Sequence, residues 1–87
     1  MQLKKDFIVK QVVDDFMLIP VGEQVKSFGG TVELNEVGAF IVNQLKNETT
    51  KEKILEAILL EYQVDEATAS RDLDATLDKL DKMGLIQ

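Results

Sequence analysis

The spacing of hydrophobic and polar residues changes once along the chain, from short apolar runs to a helical repeat. In the N-terminal third the runs are β-branched and aromatic. Phe7-Ile8-Val9-Lys10-Gln11-Val12-Val13 is followed by Asp14-Asp15 and then by Phe16-Met17-Leu18-Ile19-Pro20-Val21. Two such runs around a two-residue acidic turn predict a β-hairpin. Pro20 has no N–H to give to a ladder, so it is expected at a strand end or on an edge. Gly22 to Phe28 reads as a loop, and Gly29-Gly30 leaves the backbone free to turn. Thr31-Val32-Glu33-Leu34 then alternates at period two, as a half-buried third strand does.

Beyond that strand the period becomes helical. Val37, Phe40, Ile41 and Leu45 fall on one face over Asn35–Lys46, and Asn35 is a good N-cap residue. Gly38 inside this helix costs about 1 kcal/mol relative to Ala, so it is expected to mark close packing against another backbone. Thr49-Thr50-Lys51-Glu52 has the spacing of a capping box. It opens a second helix faced by Ile54, Leu55, Ile58, Leu59 and Tyr62. After Gln63-Val64, Asp65 caps a third helix whose buried stripe is Ala69, Leu73, Leu77 and Leu80. Gly84 is placed to end it, and Leu85-Ile86 can fold back onto the core. The expected order is β-β-β-α-α-α in a single domain spanning residues 1–87, an α+β fold with helices on one face of a small antiparallel sheet. The last two helices also resemble a helix-turn-helix.

Composition removes most chemistry from this frame. Cys and His are both absent, which excludes disulfides, thiolate metal sites, thiol nucleophiles and the commonest general base. The expectation is a protein that is no enzyme and needs no metal or cofactor. No basic start leads into an apolar signal core, and no apolar run approaches the ~20 residues of a membrane span. A cytoplasmic location, away from membranes, is therefore expected. The net charge of −6 argues against a grip on nucleic acid, which relies on Lys and Arg to neutralise phosphates.

Three features could still carry function. Asp65, Glu66, Asp72, Asp74, Asp78 and Asp81 crowd the last helix, where Asp74 and Asp78 share a face. With Lys79 and Lys82 among them they read as a solvated, salt-bridged surface. Hard-cation sites draw on more oxygens than two side chains supply. Gly29-Gly30 precedes a strand and lacks the Lys and further glycines of a phosphate loop. The third strand is the remaining feature: Thr31–Leu34 lies at a sheet edge if the first two strands pair, and Glu33 alone protects it weakly. Such an edge can accept a peptide strand, or it can be covered by its own chain or a dimer mate.

The stretch Thr31-Val32-Glu33-Leu34-Asn35-Glu36-Val37-Gly38-Ala39-Phe40-Ile41 resembles the central signature of the PqqD-like family. Thr50, Ile54, Ile58, Tyr62-Gln63-Val64, Asp72-Leu73, Leu77, Leu80 and Gly84-Leu85-Ile86 follow in the matching order, so the resemblance covers about residues 3 to 87. Members of this family are peptide chaperones, or RiPP recognition elements, with a winged helix-turn-helix-like fold. The resemblance implies that a precursor's leader peptide adds to the third strand and lies against the third helix. The peptide then passes to a modifying enzyme, often a radical S-adenosylmethionine enzyme. By position, the binding residues it implies are Gly30, Thr31, Val32, Glu33 and Leu34 on the strand, and Arg71, Asp74, Ala75 and Asp78 on the helix. Leu73 and Leu77 either floor the groove or belong to the core. The partners expected are a leader peptide and its modifying enzyme, with the domain itself a monomer or weak dimer. Rival readings are a winged-helix transcription regulator and a small structural subunit. Val32→Pro is expected to abolish peptide binding if the Val32 amide faces outward, and to damage the fold if that amide is paired internally.

Overall fold

The computed structural model describes residues Met1–Gln87. β1 (Phe7–Val12) and β2 (Asp15–Pro20) form the hairpin, and β3 (Val32–Leu34) joins the other side of β2, so the sheet order is β1-β2-β3, antiparallel throughout. Val12 pairs with Asp15, which makes Val13 and Asp14 the turn and puts Asp15 in the strand, one residue earlier than the acidic pair suggests. Two-residue hairpin turns favour a positive φ at the first central position, a place usually held by glycine. Val13 holds it here at φ 59° with its side chain in solvent.

The segment expected as loop contains a short helix, α1 (Gln24–Phe28), closed by Gly29 in the left-handed region at φ 69°. Phe28, at its end, meets Phe7 edge-on with ring centroids 5.3 Å apart. That contact draws the segment onto the sheet.

The remaining helices are α2 (Glu36–Gln44), α3 (Lys51–Glu61) and α4 (Glu66–Lys82). No helix is long and apolar enough to cross a membrane. The Asn35 side chain caps α2, accepting from the Gly38 N–H at 2.7 Å. Gly38 is tight for a local reason: a Cβ there would lie 3.1 Å from Asn35 Oδ1 and 3.6 Å from Leu34 Cβ, so the close approach is to its own cap and strand end rather than to another backbone. Thr50, not Thr49, caps α3, accepting from the Lys53 N–H at 3.2 Å. Glu52 therefore sits one residue short of the reciprocal position, and the expected capping box does not form. Phe40 and Tyr62 meet edge-on at 5.5 Å, holding the end of α3 against α2. Burial, and then the Glu36 carboxylate, keep the Tyr62 hydroxyl above its ordinary pKa.

Leu18, Ile41, Val42, Leu45, Ile54, Ile58, Leu73, Leu80 and Leu85 are fully buried between sheet and helices. Each contributes roughly 1.5–3 kcal/mol by leaving water. Leu77, expected in the buried stripe, is only half-buried. Gly84, at φ 73°, ends α4 with two bonds, Gly84 N–H to Asp81 O at 2.9 Å and Leu85 N–H to Leu80 O at 3.0 Å. These are the pair that closes a helix through a left-handed residue. Leu85 thereby turns into the core, and Lys4 donates to its carbonyl while Leu3 donates to that of Leu45. The far face of the sheet has no cover, and Ile8, Val12, Met17 and Ile19 lie on it around Lys10.

Two outcomes follow from turn and cap. A left-handed conformation costs a side-chain-bearing residue about 1–2 kcal/mol, more than the ~0.5–1 kcal/mol of extra chain entropy that glycine loses. Val13→Gly should therefore raise stability by about 0.5–1 kcal/mol, read as a higher denaturation midpoint at unchanged slope. Hydrogen bonds from Thr68 hold the Asp65 carboxyl below its usual range. A carboxylate with a depressed folded pKa stabilises above the unfolded value, about 3.9, and that stabilisation disappears as pH falls through the folded value. Asp65→Asn keeps an acceptor without the titration. Denaturation from about pH 6 down to pH 2 should show a shallower acid loss in the variant.

Candidate strand-addition site

Successive residues of a strand turn their N–H and C=O groups to opposite neighbours, so one bond fixes the phase of a whole sheet. The Val21 N–H donates to Asp6 O at 2.8 Å, across the β1 side. Asp15, Met17 and Ile19 therefore also face β1, while Phe16, Leu18 and Pro20 face β3. Leu34 and Val32, registered on Phe16 and Leu18, are then the hydrogen-bonded pairs of the β2–β3 ladder. Glu33, opposite Met17, turns both backbone groups outward. A second contact agrees with this phase: Lys79 Nζ, on α4, donates to the Glu33 carbonyl at 3.3 Å. Pro20 faces the β3 side just where β3 has not yet begun, so its missing N–H leaves no partner unpaired.

The same phase makes Phe7, Val9 and Gln11 the residues with outward groups on β1. The sheet thus has two open edges. Beside the β3 edge stands a wall, and α4 supplies it.

Side chains on a helix step round by about 100° per residue, and the buried stripe of α4 is Ala69, Leu73 and Leu80. On one flank of that stripe Ala75, Thr76 and Lys79 meet Glu33, Leu34, Asn35 and Gly38 around a cleft. Lys79 also borders an adjoining hollow with Asp14, Asp15, Glu33 and Glu36, one ammonium among four carboxylates. On the other flank Leu77, Asp78 and Asp81 border a separate depression with Met1 and Ile86. Gly38 and Ala75 leave the first cleft room that larger residues would fill. What it offers a ligand is a backbone donor and acceptor on one wall and, on the other, the small side chains of Ala75 and Thr76 with the longer Lys79 beside them. No group of three or more carboxylates converges to hold a metal.

The residues singled out from the sequence fall into three places. Glu33, Leu34 and Ala75 border the cleft. Gly30 and Thr31 are exposed just ahead of β3, and Val32 is buried on its core face. The other helix residues lie elsewhere: Asp74 pairs with Lys51 at the start of α3, Asp78 pairs with Lys82 at 3.0 Å, and Arg71 is exposed almost opposite the buried stripe. Leu73 is core. Asn35, Gly38, Thr76 and Lys79 also border the cleft and are not among the residues expected from the sequence. Lys79, one helical turn beyond Ala75, was within reach of a spacing argument.

A family model described as coenzyme PQQ synthesis protein D (PqqD) matches residues 13–86. Two solved structures resemble the chain. TbiB1 in complex with the TbiA(beta) leader peptide is 28% identical, with a TM-score of 0.74, covering 100% of this chain and 95% of the other. Lasso peptide synthetase B1 complexed with the leader peptide is 25% identical, with a TM-score of 0.69, covering 97% of this chain and 93% of the other. No curated protein matches the chain.

The ladder phase separates two neighbouring substitutions. Val32→Pro removes an N–H bonded to Leu18 and orphans a buried carbonyl, so it should destabilise by about 1–3 kcal/mol. Glu33→Pro removes only an outward N–H and should stay within about 0.5 kcal/mol of the parent. Denaturant titration of both variants checks the pair, and equal damage from the two would contradict the assigned phase.

Proposed function

The chain belongs to the PqqD family, and we propose that it binds the leader of a ribosomally made precursor peptide by strand addition at β3 and presents it to a modifying enzyme. The observation that carries this reading is the outward-facing Glu33 backbone beside the α4 cleft. Both structural relatives hold a leader peptide, which supports the same reading. The binding residues proposed are Glu33 with its neighbours Gly30, Thr31, Val32 and Leu34, and on α4 Ala75, Thr76 and Lys79. Arg71, Asp74 and Asp78, which the family resemblance also implies, are assigned to the outer surface of the helix, where they can meet only parts of a peptide that leave the cleft.

Energetics assign separate tasks to strand and helix. A main-chain hydrogen bond contributes about 1 kcal/mol net, and association costs about 4–15 kcal/mol in lost freedom. The few bonds that β3 can offer do not suffice, so side-chain contacts in the cleft, with Leu34, Gly38 and the α4 wall, must supply most of the affinity. The strand sets direction and register, and the cleft supplies adhesion. A leader paired along β3 leaves the rest of its precursor free for an enzyme to reach. The acidic surface of α4 is a poor match for phosphates, which sets this use of the helix-turn-helix apart from DNA reading.

Titration calorimetry with the synthetic leader of the precursor made in the same pathway tests the proposal. Wild type should bind, and folded Glu33→Pro should bind about tenfold more weakly or worse, having lost one donor and left a peptide carbonyl unpaired. Undiminished binding by the folded variant would remove β3 as the site.

A further inference from the structure

We propose that the site selects a leader segment in which the residue opposite Glu33 is Lys or Arg and the residues on either side of it are apolar. The inference rests on the strand-addition reading and specifies what that site recognises.

Within β3 only Glu33 turns both backbone groups outward, as the Val21–Asp6 bond and the Lys79 contact both require. An added strand, taken antiparallel like every pair in this sheet, must place one residue opposite Glu33 and exchange both bonds with it. Residues opposite one another put their side chains on the same face of a sheet, with Cβ atoms about 5.5 Å apart or less. Glu33 is exposed on the uncovered face, across from Met17 and diagonal to Asp15. The peptide side chain at this position therefore emerges beside the Glu33 carboxylate, with the Asp15 carboxylate one strand further in.

The flanking peptide residues point the other way, because strand side chains alternate. That is the side on which Val32 and Leu34 are buried and on which Leu34, Gly38, Ala75 and Thr76 border the cleft. Gly38, Ala75 and Thr76 are small and leave space between Leu34 and Lys79, whose ammonium is the one charge on the α4 wall. Apolar side chains fit that space. When the peptide N–H takes the Glu33 carbonyl, Lys79 is displaced from it. Its ammonium remains among Asp14, Asp15, Glu33 and Glu36, which still outnumber it. The field at the central position thus stays negative in the bound state.

The experiment selects a random dodecapeptide display library against the full-length chain and against Glu33→Lys. Cross-strand charge pairs are modest, so exchanging Lys for Glu at the central position of a selected peptide should change affinity roughly tenfold. Wild type should enrich apolar–basic–apolar peptides, and Glu33→Lys should lose the basic preference and take acidic residues there. An unchanged preference in the variant overturns the proposed register. So does a wild-type consensus that is acidic or indifferent at the centre. Binding of the selected peptides to Glu33→Pro tells the two failures apart. If it is lost while charge selectivity does not follow Glu33, strand addition stands and the register falls. If it survives, or if no peptide enriches, strand addition itself falls.

Discussion

A strand residue can offer its N–H and C=O to one neighbour only, and in this small sheet that alternation governs everything from folding to recognition. β2 is the middle strand, so its residues divide between β1 and β3. The Val21–Asp6 bond sets that division, with Phe16, Leu18 and Pro20 turned to β3. Leu34 and Val32 are bound into the sheet by the first two, and Glu33, lying between them, is left facing out. A slip of one residue would reverse every assignment, burying the Glu33 side chain and exposing Val32 and Leu34. The burial of those two side chains, each leaving less than a tenth of its surface to solvent, opposes that slip. The register that builds the core is thus the register that presents the edge.

The helices hold that edge beside a wall. β3 ends at Leu34, Asn35 caps the next helix, and Glu36 begins it, so no linker lets edge and helix move apart. Leu73 and Leu80 anchor α4 in the core, while its flanking residues Ala75, Thr76 and Lys79 stand over Glu33 and Gly38. The hydrogen-bonding strand and the helix wall therefore belong to one continuous arrangement. A ligand entering between them need not organise the site first, which lowers the ordering cost of binding.

Much of this was legible in the sequence, and the exceptions have physical reasons. Period-two and helical spacing identified the three strands and the three longer helices, since each follows from which side chains must be buried. The hairpin turn falls one residue earlier than Asp14-Asp15 suggests, because an acidic pair favours turns while Val13 is a β-branched residue in a conformation that such residues avoid. α1 has five residues, too few for a periodic signal, and depends on the contact between Phe28 and Phe7. For the candidate site, spacing and family resemblance together pointed to β3 and the last helix. Which flank of that helix meets the strand was not legible. A buried stripe has two flanks, and the pairing of Asp74 with Lys51 and the depression beside Leu77 and Asp78 mark the one turned away from β3.

The outer β1 edge has a bearing on how the protein behaves when concentrated. Phe7, Val9 and Gln11 turn backbone groups outward there, with Ile8 and Val12 exposed alongside. Such an edge can pair with its own copy, and β1, at six residues, is the longer of the two open strands. What keeps molecules apart at neutral pH is mutual repulsion from a net charge of −6. Near the isoelectric point of about 4.5 that repulsion vanishes while the edge stays open. Colloidal stability is therefore a property of the whole surface charge, and mild acid is the condition under which the outer strand sets the solubility limit.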